Sequence, residues 1–218
     1  YVQLMDGFGQ MTETRSASIT INPPRKAVVS IGWAYDDVAP GCVFDSGLGI
    51  NRMNYSATAR TFVWDSGEDA GTVVKGDSVN FNEDIRVGGA TTGDDSGMYP
   101  DSVLEKYVRY NGFPQNTYGH RTASIHLSPG TYRLRLFCSL NSTYKNSTEF
   151  MKVQTVVDGV ANVFELPDGY DVIGNLTRWL EQEITVPESG MFELQWGMEN
   201  ATKGWMEVPL NIIEIEET

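Results

Sequence analysis

The stretch that decides the fold is residues 122–141, TASIHLSPGTYRLRLFCSLN. On both sides of its Ser-Pro-Gly breaker, apolar and polar residues alternate with a period of two, which is typical of strands with one buried face. We therefore predict two antiparallel strands joined by a tight turn. The apolar face carries Ala123, Ile125, Leu127, Tyr132, Leu134, Leu136 and Cys138. The other face, with Thr131, Arg133, Arg135 and Phe137, is expected to be wet.

Turn signals separate further short apolar segments along most of the chain, and these segments are predicted to be strands. Two more hairpins are expected, one about Asp158-Gly159 and one about residues 187–190. Residues 36–49 are predicted to form a loop, and one short helix is predicted near 100–109. Many short strands with almost no helix indicate an all-β fold, either a β-sandwich or a jelly roll. The predicted strands are 26–35, 52–64, 72–74, 84–87, 150–157, 160–166, 176–186, 191–197 and 206–216.

The composition of the 218 residues excludes several classes of protein. Hydrophobic residues make up 40% of the chain, which is enough for a packed core. The net charge of -13 argues against a nucleic-acid partner and against an anionic membrane surface, because both need a basic face. No apolar run approaches the length of a membrane span. No signal peptide is evident, and Tyr1 is not an initiator Met, so we expect a mature or excised piece of a longer chain.

Residues 1–22 form a candidate boundary segment. They read as a strand, an Asp-Gly turn and a second strand, and they resemble the closing hairpin of an immunoglobulin-like or PKD-like repeat. Pro23 and Pro24 follow as a linker signal. The segment is therefore either the tail of a preceding repeat or the first hairpin of the main fold, whose domain spans 26–218.

Two cysteines, Cys42 and Cys138, leave the redox compartment open. They could be bonded to each other in an extracellular protein, or they could be buried thiols. Because Cys138 lies on the apolar face of its strand, we favour a core thiol there.

Two motifs carry a resemblance to a known family. Residues 125–134, IHLSPGTYRL, and residues 210–215, LNIIEI, are similar to the mid-domain and closing strands of galactose-binding-like jelly rolls. These are the malectin-like and carbohydrate-binding modules of bacterial polysaccharide-degrading and cell-surface proteins. The resemblance spans roughly residues 26–216. It implies a jelly roll that binds sugar through loops at one end and often holds a structural calcium ion.

Sugar recognition needs an aromatic platform and polar groups at its rim. The first candidate is the loop 110–121, although its aromatic rings could instead pack beneath their own loop. Its candidate residues are Tyr110, Asn111, Phe113, Gln115, Tyr118, His120 and Arg121.

Tryptophans supply two further candidates. Trp179 has the opposite phase to Leu180 and Ile184, so it is predicted to point outward, where it would meet a ligand or be covered at a sheet edge. Trp205 lies in the turn before the last strand. Trp33 and Trp196 are predicted to be core residues.

Carboxylates are the candidate ligands for calcium, although no segment fits the spaced Asp loop of an EF-hand. Asp and Glu in loops are also commonly just solvated. The candidate metal ligands are Asp36, Asp37, Asp94, Asp95 and Glu214.

No catalytic motif is present, so we expect a protein without enzymatic activity. The sequence favours a non-catalytic carbohydrate-binding module of an extracellular or cell-surface protein, with a polysaccharide or glycan and the neighbouring domains of a longer chain as partners. One alternative is a structural or adhesive spacer in a surface or phage fibre protein, in which a neighbouring domain would cover Trp179. Another is a polysaccharide lyase or hydrolase built on a jelly roll.

Overall fold

The computed structural model of the protein describes residues 23–76, 85–112, 118–141, 148–200 and 206–218. In these ranges the strands form two sheets of six strands and one of three. In spatial order, sheet 1 contains β12 (Leu180–Val186), β9 (Gly130–Phe137), β15 (Ile212–Glu217), β1 (Lys26–Ser30), β3 (Ile50–Met53) and β2 (Cys42–Asp45). Sheet 2 contains β11 (Val160–Val163), β10 (Met151–Val157), β13 (Met191–Met198), β8 (Gly119–Leu127), β5 (Asp69–Lys75) and β4 (Arg60–Val63). Sheet 3 contains β14 (Met206–Leu210), β7 (Lys106–Gly112) and β6 (Ile85–Val87).

Sheets 1 and 2 share one apolar core, which confirms the strand phases predicted for residues 122–141. Ile125 of β8 and Leu134 and Leu136 of β9 are all fully buried in the same cluster. Burying such a side chain contributes roughly 1.5–3 kcal/mol, so this shared interior is a major source of stability. The all-β class is therefore confirmed, and the architecture is that of a β-sandwich.

Cys138 belongs to this core, as predicted. Its side chain is fully buried, and both cysteines are free thiols. Burial raises the pKa of the Cys138 thiol to about 12, because the apolar interior disfavours the thiolate.

The predicted pairing within residues 122–141 is wrong. β8 pairs with β13 and β5 in sheet 2, whereas β9 pairs with β12 and β15 in sheet 1. The Ser-Pro-Gly turn thus carries the chain from one sheet to the other. Alternation determines which face of a strand is apolar, but it does not determine whether the next strand lies beside it or across the core.

The hairpin predicted about residues 187–190 is wrong for the same reason, because β12 lies in sheet 1 and β13 in sheet 2. Segments 119–137 and 180–198 nevertheless pair with each other in both sheets. β8 pairs with β13 in sheet 2, and β9 pairs with β12 in sheet 1, so the two turns between these strands meet at one corner of the sandwich. At the corner, the amide of Leu127 donates to the carbonyl of Gly190 at 2.9 Å. One two-stranded ribbon therefore folds over the edge of the sandwich. The remaining predicted hairpin is confirmed, since β10 and β11 pair about Asp158-Gly159.

The predicted helix is much shorter than expected. Helix α1 spans only Asp101–Leu104, and the residues after it form strand β7. β7 pairs with β14 and β6, and the β-favouring side chains of Tyr107 and Val108 are buried there. A single helical turn cannot compete with two strand ladders. The described helices include none with the length and apolar character to cross a membrane.

The predicted loop 36–49 also contains regular structure. A 3₁₀ turn, Tyr35–Asp37, and strand β2 both lie in this part of the chain. β2 pairs with β3 in sheet 1.

A second, smaller apolar cluster covers part of the outer face of sheet 1. Val103 and Leu104 of α1 pack there with Phe137, so the prediction of a wet environment for Phe137 is wrong. Trp33 joins this cluster, whereas Trp196 lies in the main core; both were predicted to be buried.

The prediction that Trp179 is exposed is wrong, although the predicted outward direction of its side chain is correct. It points away from the main core but is only 8% exposed, because residues of its own chain cover it. Its indole Nε1 donates to the Sδ of Met98 at 3.0 Å, and the rings of Phe137 and Tyr99 lie 5.4 and 6.2 Å away. The guanidinium of Arg135 lies 4.8 Å from the indole centroid.

Glu214 is the buried centre of an ion-pair network on the same face. Its side chain is 3% exposed, and its oxygens lie 2.7 Å from Arg135 and 3.3 Å from Lys26. The hydroxyl of Tyr99 donates to it at 3.3 Å. The Glu214 carboxylate is thus already paired with two cations and one phenol, which argues against its predicted role as a calcium ligand.

Replacing Gly190 by alanine is expected to destabilise the corner. Gly190 has a φ of +69°, and a Cβ there would lie 2.9 Å from the Leu127 carbonyl oxygen. Gly159 is the matched control, because its φ is +79° but nothing lies within 4 Å of its Cβ position. We expect Gly159→Ala to cost about 1–2 kcal/mol, the price of the left-handed backbone alone, and Gly190→Ala at least about 1 kcal/mol more. Chemical denaturation measures both, and equal losses would contradict the corner contact.

Glu214→Gln is expected to lower the free energy of unfolding by about 2 kcal/mol, because it leaves Arg135 and Lys26 without their buried partner. This value is smaller than for a fully buried pair, since both cations reach solvent. Glu216→Gln on the same strand is the control. Its partner Arg133 is 43% exposed, so the expected loss is below about 1 kcal/mol. Thermal and urea unfolding compare the two variants, and a larger effect at Glu216 would contradict this assignment.

Candidate functional site

One end of sheet 2 brings together residues that are distant in sequence. The first residue of β8, Gly119, is in register with Met198, the last of β13, which is itself in register with Met151, the first of β10. Polar and aromatic side chains gather around this end. We call this end of sheet 2 the loop end, and Tyr118, His120, Lys152 and Glu199 the loop-end cluster.

Tyr118 is the centre of the loop-end cluster. Its ring stacks on His120 with centroids 4.5 Å apart and an interplanar angle of 19°. The Nζ of Lys152 lies 4.8 Å from the same ring centroid. The Tyr118 hydroxyl donates to the carbonyl of Lys152 at 3.2 Å. Burial raises the pKa of Tyr118, so the phenol stays protonated and remains a hydrogen-bond donor at neutral pH.

Charged groups form the rim of this ring pair. Lys152 Nζ lies 2.8 Å from Glu199 Oε1, and the Glu199 side chain is 42% exposed. An ammonium group and a carboxylate therefore stand side by side next to a half-buried aromatic surface. A small number of polar groups around an apolar floor is the general pattern of a small-molecule binding site.

The sheet register explains why these side chains meet. His120 of β8 lies opposite Gly197 of β13, which lies opposite Lys152 of β10. Because Gly197 carries no side chain, nothing on β13 separates His120 from Lys152 in this row, and Tyr118 contacts both.

Tyr110 packs beneath the loop end and is half-buried. A Cβ at Gly119 would lie 1.9 Å from its hydroxyl oxygen, so the ring fits against β8 only because residue 119 is glycine. Burial raises the pKa of Tyr110. Asn111 is also half-buried and lies opposite Glu207 on β14. Both residues of the predicted set are thus near the loop end, with Tyr110 supporting it from below.

Arg121 was predicted to contact the ligand, but it is only 3% exposed, and this prediction is wrong. Its Nε donates to the carbonyl of Arg109 at 3.3 Å, which fixes β7 against β8. Arg109 in turn pairs with Glu207, which also accepts a hydrogen bond from Tyr107 at 3.2 Å. Alternation explains this placement, because Arg121 shares the inward phase of Ala123 while His120 shares the outward phase of Thr122.

Sequence reasoning missed Lys152 and Glu199. The alternation of β10 was enough to point Lys152 outward, but nothing local showed that β10 and the end of β13 adjoin the loop 110–121. Three further predicted contacts, Phe113, Gln115 and Trp205, lie outside the described residues.

The predicted calcium ligands do not converge. Asp94 accepts a hydrogen bond from the amide of Ser96 at 3.1 Å, and hydrogen bonds from the side chain and then the amide of Ser96 lower the pKa of its carboxyl group. Asp95 accepts one from the amide of Asp101 at 2.7 Å.

The other two predicted ligands, Asp36 and Asp37, lie exposed in the 3₁₀ turn. Across the described ranges, no group of three or more His, Cys, Asp or Glu residues could hold a metal ion. Calcium binding stays a prediction.

No protein-family model matches the chain, and no curated protein sequence matches it. Its function has to be argued from the residues and geometry of the loop end and of the sheet face beside it.

Proposed function

We propose that the protein is a non-catalytic carbohydrate-binding module of an extracellular or cell-surface protein, built on a galactose-binding-like jelly roll. The observation that carries the proposal is the Tyr118–His120 ring pair with Lys152 and Glu199 at its rim. Aromatic surface packs against the C–H face of a sugar ring, and the charged rim supplies hydrogen-bond donors and acceptors for hydroxyl groups.

The location of this ring pair supports the proposal. It lies beside the outer face of sheet 2, where the side chains of β8, β13 and β10 are mostly polar. On this face Gln154 donates to Gln195 at 2.7 Å, and Gln195 donates to Glu193 at 3.0 Å. Amides and carboxylates can exchange such bonds for bonds to a polyol with little net cost. An acidic chain suits a neutral polyol better than a polyanion.

The ribbon formed by segments 119–137 and 180–198 supports the finer fold assignment. A two-stranded ribbon that folds over the edge of two packed sheets is what a jelly roll requires. The spacer hypothesis has less support. It expected a neighbouring domain to cover Trp179, and residues of the same chain cover it instead.

Affinity gel electrophoresis against cellulose, xylan, mannan, galactan, pectin and chitin derivatives tests the proposal. At least one of these polysaccharides is expected to retard the protein, and Tyr118→Ala is expected to weaken that binding by about 2 kcal/mol, roughly thirtyfold in Kd. Glu199→Gln removes only the rim charge, so a smaller, several-fold loss is expected.

Tyr35→Ala is the matched control for Tyr118→Ala. Tyr35 is 49% exposed and lies against Arg60, away from sheet 2's loop end. Its removal is expected to leave binding unchanged. Thermal unfolding shows whether each variant is folded. Retardation by none of the six polysaccharides would reject the proposal, and release of sugar from any of them would indicate an enzyme instead.

A further inference from the structure

The outer face of sheet 2 has a cleft at the end opposite the loop-end cluster. Its volume is about 410 Å³. Most of its lining is polar, with three hydroxyl groups, one carboxylate and one imidazole above a glycine. These residues are Thr61, Thr72, Ser128, Asp69, His126 and Gly71.

The register of three strands builds this cleft. Thr61 of β4 lies opposite Thr72 of β5, which lies opposite His126 of β8. Directly opposed residues have Cβ atoms about 4.5–5.5 Å apart, so these three side chains form one continuous row.

The register of β4 and β5 shifts between Phe62 and Val63, which places Asp69 opposite Val63. Such bulges re-aim side chains near binding sites. Here the shifted strand carries the one carboxylate of the cleft.

The polar side chains of the cleft are available to a ligand. Within the described part of the chain, no hydrogen bond joins the side chains of Thr61, Asp69, Thr72, His126 or Ser128 to another residue. This differs from the loop end, where Lys152 is paired with Glu199. Residue 71 has room only for glycine, because a Cβ there would lie 2.0 Å from the His126 carbonyl oxygen.

Strand β8 connects the two sites. His120 belongs to the loop-end cluster and His126 to the cleft, and both point to the outer face with Thr122 and Ser124 between them. At about 3.4 Å per residue the two imidazoles are separated by roughly 20 Å along the strand. Between the two sites Ser124 is half-buried and Thr122 is only 7% exposed, so the polar contacts for a ligand lie mainly at the two ends of the strand.

From these observations we infer that the protein binds an extended glycan chain along β8, with the cleft at Asp69 and His126 as a second contact site for a sugar remote from Tyr118. This rests on the proposed function and adds that the ligand is the interior of a polysaccharide rather than a single terminal sugar. Neutral hydroxyl groups are the chemistry that fits, because the cleft offers donors and acceptors together with one carboxylate.

The test is a length series. Oligosaccharides from the disaccharide upward are prepared from whichever of the six polysaccharides retards the protein, and their affinities are measured by calorimetry. Affinity is expected to rise with length until the chain reaches the cleft. Thr72→Val is expected to reduce binding of long oligosaccharides about fivefold, and Asp69→Asn about tenfold, with no change for the shortest one bound.

Matched controls lie on exposed positions of β12 in the other sheet. Thr185→Val and Glu183→Gln make the same chemical changes there and are expected to leave all affinities unchanged. If affinity does not rise with length, or if the cleft variants keep the full rise, the second site is rejected while the loop-end site stands. If none of the six polysaccharides is bound, both proposals are rejected.

Discussion

The fold depends on the antiparallel pairing of segments 119–137 and 180–198 around one corner of the sandwich. Each segment contributes a strand to both sheets, so this ribbon fixes how the sheets face each other. The Leu127–Gly190 hydrogen bond holds the two turns together where the ribbon bends. The other strands of sheets 1 and 2 add to a sheet that this ribbon has begun, whereas β14, β7 and β6 form sheet 3. The main core and the proposed binding surface both follow from the pairing, since one face of each strand in the ribbon points inward and the other outward.

Sequence patterns predicted the faces of strands well and their neighbours poorly. The phases of Ile125, Leu134 and Trp196 follow from local alternation and were correct. Pairing depends on contacts between distant segments, which a turn signal such as Ser-Pro-Gly does not encode. Two Pro-containing turns were therefore taken for hairpins when they cross between sheets, whereas the tight Asp158-Gly159 turn joined neighbours as predicted.

The same limit explains what was missed at the candidate site. Tyr118 and His120 lie close in sequence, so their proximity could be predicted, although His120 lies in strand β8 and not in the predicted loop. Their contact with Lys152 depends on β13 separating β8 from β10 with a glycine at the shared row, which no local pattern shows. Trp179 illustrates the converse error. Its outward phase was correct, but α1 and its flanking residues cover that face, and only the tertiary structure reveals the cover.

The two outer faces of the sandwich are chemically different, and this difference determines where a ligand can bind. On sheet 1, the second apolar cluster and the Glu214 network satisfy the outward side chains within the chain itself. A ligand there would have to break buried ion pairs, which is costly. On sheet 2, the exposed His126 and the half-buried His120 and Ser124 of β8 point outward beside an open cleft. Binding there requires the displacement of water rather than of protein contacts. Sheet 2 is therefore the face on which binding of a polar ligand has the lower free-energy cost.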